Sequence, residues 1–162
     1  MNGVIISLCD LTGSMVAPWV NAGYDAVLVD PQHGKYSNDG RVERLPCTVI
    51  EAAARIGEIL RGRRVVFVSG FPPCTDVAVS GARWFAEKAS KDKHFQSKAA
   101  LVAEQCRMIG ALSGAPWIFE NPVSVFSSIF GPPQHTFHPH HYTGYCEADN
   151  YTKQTCLWSG GG

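Results

Sequence analysis

Residues 3–30 read GVIISLCDLTGSMVAPWVNAGYDAVLVD, and this stretch decides the fold. Gly3-Val-Ile-Ile-Ser-Leu8 is a continuous apolar run rich in β-branched residues, which predicts a strand buried on both faces. Cys9-Asp-Leu-Thr-Gly-Ser14 is a turn. Met15 to Ala22 carries apolar residues at helical spacing, with Pro18 tolerated early and Gly23 as the C-cap. Asp25-Ala-Val-Leu-Val-Asp30 is a second buried strand that ends in an acid. Strand, helix and strand in succession make the unit from which parallel sheets are built.

Working outward, the alternation continues. Pro31 to Arg44 is polar and turn-rich and reads as a loop, and Thr48 to Arg61 reads as a helix. Val65-Val-Phe-Val-Ser69 is a third strand, and it runs into Gly70-Phe-Pro-Pro-Cys-Thr75, where two adjacent prolines exclude regular structure. Lys88, Lys91, Lys93 and Lys98 are assigned to a loop downstream of it, placed either to meet phosphate or to be solvated. Phe95 to Leu112 is a long amphipathic helix. Trp117-Ile-Phe-Glu120 is a fourth strand, stopped by Asn121-Pro122. From Gly131 the chain is irregular and His-rich, with a final strand around Cys156. The expected fold is one α/β domain over residues 1–162, with a mostly parallel sheet and helices on both faces.

Composition narrows the function classes. With 45% hydrophobic and 17% charged residues, the 162-residue chain can bury a core without staples. Its 14 basic and 14 acidic residues cancel, which argues against a strongly basic duplex-gripping protein. Six cysteines are scattered singly with no CxxC pair, and no secretory leader precedes them. The expectation is a reducing, cytoplasmic setting with thiols that are core, catalytic or metal-binding. No apolar run is long enough to span a membrane, so no membrane partner is expected.

Chemistry-bearing residues gather where strands end, which is where open α/β sheets bind ligands. Cys74 stands on a rigid diproline platform, which suits a nucleophile that must meet one substrate atom. The plain alternative is an inert turn cysteine. Glu120 follows another strand, where a carboxylate is expensive to bury unless protonated or paired; otherwise it is a cap or surface acid. Around Asp10 to Ser14 a small-residue turn leaves room for a nucleotide-like ligand, with Asp30 able to accept ribose hydroxyls; the alternative is an ordinary tight turn.

Three stretches in order carry a resemblance: Pro72-Pro73-Cys74 with Thr75-Asp-Val-Ala-Val-Ser-Gly-Ala-Arg-Trp84, Glu120-Asn-Pro-Val123, and Tyr151-Thr-Lys-Gln-Thr-Cys-Leu-Trp158. They resemble the cytosine carbon-5 DNA methyltransferase family, and within it the short methyltransferase-like proteins of phages and prophages. The resemblance runs from Ile5 to Trp158. It implies a Rossmann-like methyltransferase sheet, here without a target-recognition domain. It implies Cys74 as the thiolate that adds to carbon 6 of cytosine and Glu120 as its partner at the ring. S-adenosylmethionine would be held around Asp10, Thr12, Gly13, Asp30 and Pro72, and the substrate would meet Ser80, Arg83, Asn121, Lys153 and Thr155. The implied substrate is DNA or a cytosine nucleotide, in the cytoplasm of a bacterial host or phage-infected cell.

The chain also departs from the family pattern. Cys9 stands where the family's first loop has an aromatic residue, and Leu11 where it has the first of two glycines. Three readings therefore stay open: methyl transfer to cytosine in DNA, the same scaffold acting on a free pyrimidine nucleotide or single-stranded DNA, and a non-catalytic module completed by a partner chain or second copy. His135, His138, His140, His141, Cys146 and Cys156 are weighed as zinc ligands, but their spacing fits no standard site, so no metal is assigned. Arg55, Arg61, Arg63 and Arg64 read as a helix C-terminus offsetting the dipole.

Overall fold

A computed structural model describes residues 3–161; Met1, Asn2 and Gly162 lie outside them. Its centre is an eight-stranded mixed sheet in the order β3-β4-β2-β1-β5-β6-β8-β7. Strands β1 (Val4–Leu8) and β2 (Asp25–Val29) pair in parallel around the short helix α1 (Ala17–Asn21), as the opening stretch predicts. Strand β5 (Val65–Gly70) lies on the other side of β1 and is followed outward by β6 (Trp117–Pro122), both in parallel. The chain thus reverses its direction of growth between β1 and β5, and the carboxyl ends on either side of that point form a crevice.

Alternation along the central strands divides two cores. Val4, Ile6, Leu8, Val27, Val29, Val68 and Phe119 pack under α2 (Val49–Ala54), α3 (Ile56–Leu60), α5 (Phe95–Ser113) and α6 (Phe126–Phe130). Ile5, Ala26 and Leu28 face the opposite way, onto Val16, Trp19 and Val20 of the α1 region. Helices cover both faces, unevenly.

Several expectations are corrected. Pro31 to Arg44 is not all loop: it contains a 3-10 turn (Pro31–His33), β3 (Ser37–Asn38) and β4 (Val42–Leu45), and β4 pairs in parallel with β2. Its polar look misleads because Glu43, though buried, is satisfied by Arg61 Nη2 (3.0 Å) and Arg63 Nη2 (3.3 Å). Thr48 to Arg61 is two helices, since the backbone leaves the helix at Arg55 (φ −116°, ψ 16°). One departing residue does not disturb the apolar spacing, so the pattern hides the break. Thr48 and Glu51 form a reciprocal capping box at the start of α2. The lysine stretch is only in part a loop: Lys88 and Lys91 lie on α4 (Phe85–Lys91) and Lys98 in the first turn of α5, with Lys93 alone in the turn between them, and Phe85 packs edge-on against Phe95 at 5.7 Å. Beyond Gly131, β7 (His135–Phe137) and β8 (Thr155–Gly160) add two antiparallel strands, β8 lying between β6 and β7. Edge strand β7 shows no apolar pattern because His135 and Thr136 face solvent. No helix among the described residues is long and apolar enough to cross a membrane.

Helix and sheet approach very closely at Gly110 of α5. A Cβ there would lie 2.3 Å from Trp117 Cβ and 2.4 Å from its Cγ. Gly110→Ala must push α5 off β6, and we expect a loss of about 1–3 kcal/mol or more, read as a lower denaturant midpoint. An unchanged midpoint would mean that α5 and β6 yield to the added methyl group at no cost.

Candidate active site at the carboxyl ends of the strands

Strand β5 delivers the cysteine loop. Its last residue, Gly70, has no room for a side chain: a Cβ there would sit 2.8 Å from both Cβ and Sγ of Cys106 on α5. Phe71 N donates to Leu8 O (2.9 Å), which carries the chain across the end of β1. Pro72 is then buried, whereas Cys74 is exposed. Behind the thiol the backbone is anchored. Cys74 O accepts from Val77 N (3.1 Å) and Ala78 N (2.9 Å), and Lys88 Nζ donates to Thr75 O and Asp76 Oδ1, each at 2.7 Å. Lys88 thus braces the loop, and Lys91 and Lys98 pair with Glu87 and Asp92, so these three are engaged within the protein.

The Glu120 segment is tied to that loop. Strand β6 does not stop at Glu120 but continues through Pro122, because β8 pairs with it along its whole length, Leu157 opposite Glu120 and Thr155 opposite Pro122. Buried Asn121 donates from Nδ2 to Pro72 O at 2.9 Å. Val79 N donates to Val123 O (2.9 Å) and Val125 N to Val77 O (3.1 Å). Two motifs far apart in sequence are thereby one rigid body. Glu120 Oε1 and Asn121 Oδ1 are buried with no hydrogen-bond partner. Burial pushes the Glu120 carboxyl above its ordinary range, and the Lys153 ammonium draws it partly back.

Asn121→Ala would leave the Pro72 carbonyl unpaired inside the protein. We expect about 1–3 kcal/mol less stability in denaturant unfolding, together with looser attachment of the cysteine loop, seen as faster proteolysis there. Wild-type stability in the variant would show that the bond contributes nothing.

A cavity of about 490 Å³ opens at the ends of β1 and β2, lined by Cys9, Asp10, Leu11, Thr12, Ser14, Met15, Asp30, Gln32 and Phe71. Asp10, Thr12 and Asp30 are there as the sequence predicts; Gly13 and Pro72 are not among its lining residues. Gly13 shapes the turn: φ is +74°, and a Cβ would lie 2.9 Å from Leu28 Cδ1. Asp10 is saturated by its own loop and strand. Its Oδ1 accepts from Thr12 N (3.1 Å), Thr12 Oγ1 (3.3 Å) and Gly13 N (2.7 Å), and Oδ2 from Ser7 Oγ (2.7 Å). It positions the loop instead of offering itself to a ligand. Asp30 caps the following 3-10 turn with Oδ1, on Gln32 N at 2.8 Å, and its second oxygen accepts no hydrogen bond from the described residues. Sequence reasoning misses Phe71, Met15 and Gln32 as lining residues. Phe71 is legible in principle, since it follows β5 directly beside β1; the other two sit within a turn of the expected loops.

The remaining expected contacts are spread along the same edge. Ser80 and Arg83 lie on a 3-10 turn (Val79–Trp84), both exposed, with the Arg83 guanidinium 5.0 Å from the Trp84 ring centroid. Lys153 is exposed, and buried Thr155 donates from Oγ1 to Lys153 O at 3.2 Å. The imidazoles of His138, His140 and His141 cluster with centroids 4.4–5.5 Å apart. Cys146 is exposed, while Cys156 is a core residue of β8, as expected. Among the described residues no three His, Cys, Asp or Glu side chains come together in a way that could hold a metal ion. Arg63 caps α3 through Leu60 O and Ile59 O, as expected of the basic cluster, and with Arg61 it also neutralises Glu43. The chain matches no protein-family model and no curated protein.

Proposed function

We propose that the chain transfers a methyl group from S-adenosylmethionine to carbon 5 of a cytosine through a covalent adduct on Cys74. The observation that carries this reading is that the loop of an exposed, braced cysteine is tied through Asn121 to the segment of Glu120, a half-buried glutamate whose Oε1 is buried without a hydrogen-bond partner, and that the same loop supplies Phe71 to the wall of a cavity at the point where the sheet reverses its growth. The central order β4-β2-β1-β5-β6 supports it: this is the 3-2-1-4-5 arrangement of doubly wound folds that bind nucleotides at their switch point. A Rossmann-like methyltransferase sheet is the finer description we adopt, with β8 reversed against β6.

The cavity fits the donor. It has the volume of a small-ligand site, an unengaged carboxylate oxygen on Asp30 for ribose hydroxyls, and the Phe71 ring in its wall. Thr12, Ser14 and Gln32 add to its polar lining, and exposed Leu11 is part of its wall. S-adenosylmethionine supplies an electrophilic methyl carbon. The protein's own residues do the rest. The Cys74 thiolate forms a bond to carbon 6 of the ring. Glu120, protonated, places its proton at ring nitrogen 3, so that electron density moves to carbon 5 instead of building as charge. When water takes the carbon-5 proton, the electron pair of that C–H bond restores the carbon 5–carbon 6 double bond, the carbon–sulfur bond breaks, Cys74 leaves as thiolate, and nitrogen 3 returns its proton to Glu120.

The test is transfer of a labelled methyl group from S-adenosylmethionine to cytosine nucleotides, single-stranded DNA and duplex DNA in parallel. Label at carbon 5 in any one supports the proposal. A folded chain that transfers none overturns it as a stand-alone activity.

A further inference from the structure

Large aromatic rings stand in solvent at the carboxyl edge of the sheet. Trp84 is 50% exposed and Tyr145 93%, and Tyr142 and Tyr151 are about half exposed. Two segments bring them there. The turn Val79–Trp84 is tied by Val79 N to Val123 O, one residue beyond β6. The segment from Pro139 to Tyr151 leads into Thr155, which pairs with Pro122 at the same strand end. It is folded back on itself by His140 N donating to Tyr151 O (3.3 Å) and Tyr145 N to Tyr142 O (2.8 Å). Cys74 and Glu120 lie at the end of the sheet that both segments reach.

Rings held in water on short, hydrogen-bonded turns contribute little to the core, and such a surface calls for a flat apolar ligand. The Arg83 guanidinium lies over the Trp84 ring, 5.0 Å from its centroid, so a cation and an aromatic ring are presented together. The charge here is balanced: Arg83 and Lys153 carry no ion pair within the described residues, while Glu147 and Asp149 sit in the aromatic segment itself. A duplex shows a protein mainly phosphates and base edges, and a locally neutral surface has little hold on them. A single strand offers base faces, which stack on aromatic rings whatever the sequence.

We infer that this surface binds single-stranded DNA, with bases stacked on Trp84, Tyr145 and Tyr151 and Arg83 and Lys153 meeting the backbone. That the strand so held presents its cytosine to Cys74 rests on the function proposed above; the binding itself does not. A substrate held unpaired needs no flipping from a duplex, and none of the described residues has to act as a wedge.

The test is fluorescence anisotropy of a labelled single strand and of the same sequence as duplex, without S-adenosylmethionine. We expect the single strand to bind more tightly, and Trp84→Ala and Tyr145→Ala each to weaken it by about tenfold, within the range known for base–aromatic stacking. With two phosphates neutralised, affinity should fall only about sevenfold between about 50 and about 200 mM salt. Tyr145 is almost wholly exposed, so Tyr145→Ala should leave the melting temperature unmoved; Trp84 is half-buried, so Trp84→Ala is compared at a temperature well below its own measured midpoint, and a fold defect is excluded by the same samples. Duplex binding equal to single-strand binding overturns the inference, as do unchanged affinities in both variants. Single-strand binding without methyl transfer keeps this surface and removes the methyltransferase reading. Transfer to a free nucleotide with no strand binding does the reverse.

Discussion

Cys74→Ser is expected to transfer no methyl group and to form no covalent complex with a 5-fluorocytosine substrate. With fluorine at carbon 5 there is no proton to lose after methyl addition, so the carbon–sulfur bond cannot break and the wild-type protein stays attached. Mass spectrometry would then find substrate plus methyl on the peptide containing Cys74. A serine hydroxyl in the same place is a far weaker nucleophile than a thiolate, and no described contact of this loop offers that hydroxyl a general base. Because Cys74 is exposed and its loop is held by backbone contacts and Asn121, the variant should fold as well as wild type. Cys146, also exposed, is the internal control: Cys146→Ser should retain full trapping. An adduct that survives in Cys74→Ser would remove this cysteine from the mechanism.

The same loop shows what the sequence could and could not disclose. The apolar runs of β1, β2 and β5 are legible because strands buried on both faces leave few polar interruptions. Strand β4 is not, because its buried Glu43 is satisfied by arginines about twenty residues later in the chain, a pairing that no local pattern carries. Strand β7 is held by its pairing with β8 and by Phe137 against Tyr142, neither of which a local pattern carries. In the site, Cys74, Glu120, Thr12 and Asp30 announce themselves as polar residues soon after apolar runs. Their mutual arrangement does not. That Asn121 reaches Pro72, and that Asp10 commits its carboxylate to its own turn, depend on which strand ends the sheet topology sets side by side.

Glu120→Gln should separate catalysis from stability and move them in opposite directions. Gln keeps the size and can still meet the ring, but it has no proton to give at nitrogen 3; we expect methyl transfer to fall about 10²–10⁴-fold, the usual span for losing a general acid. Stability answers to the raised carboxyl. Burial favours the neutral form in the folded protein, while the unfolded chain ionises at the ordinary carboxylate value. As pH rises from that value towards the raised one, the unfolded state sheds its proton first, so the folded state loses ground; below the ordinary value the two states hold the same proton and the penalty is absent. Wild type should therefore lose stability across this window. Glu120→Gln, which has nothing to titrate, should lack that slope and be at least as stable at neutral pH. Wild-type turnover should decline as pH rises through the raised value, since only the protonated carboxyl can serve the ring. A variant that keeps full activity, or a wild type whose stability rises across the window, would make Glu120 an ordinary structural acid. The opposed outcome is what a functional group predicts: a buried carboxylate oxygen left without a hydrogen bond where a substrate can supply one.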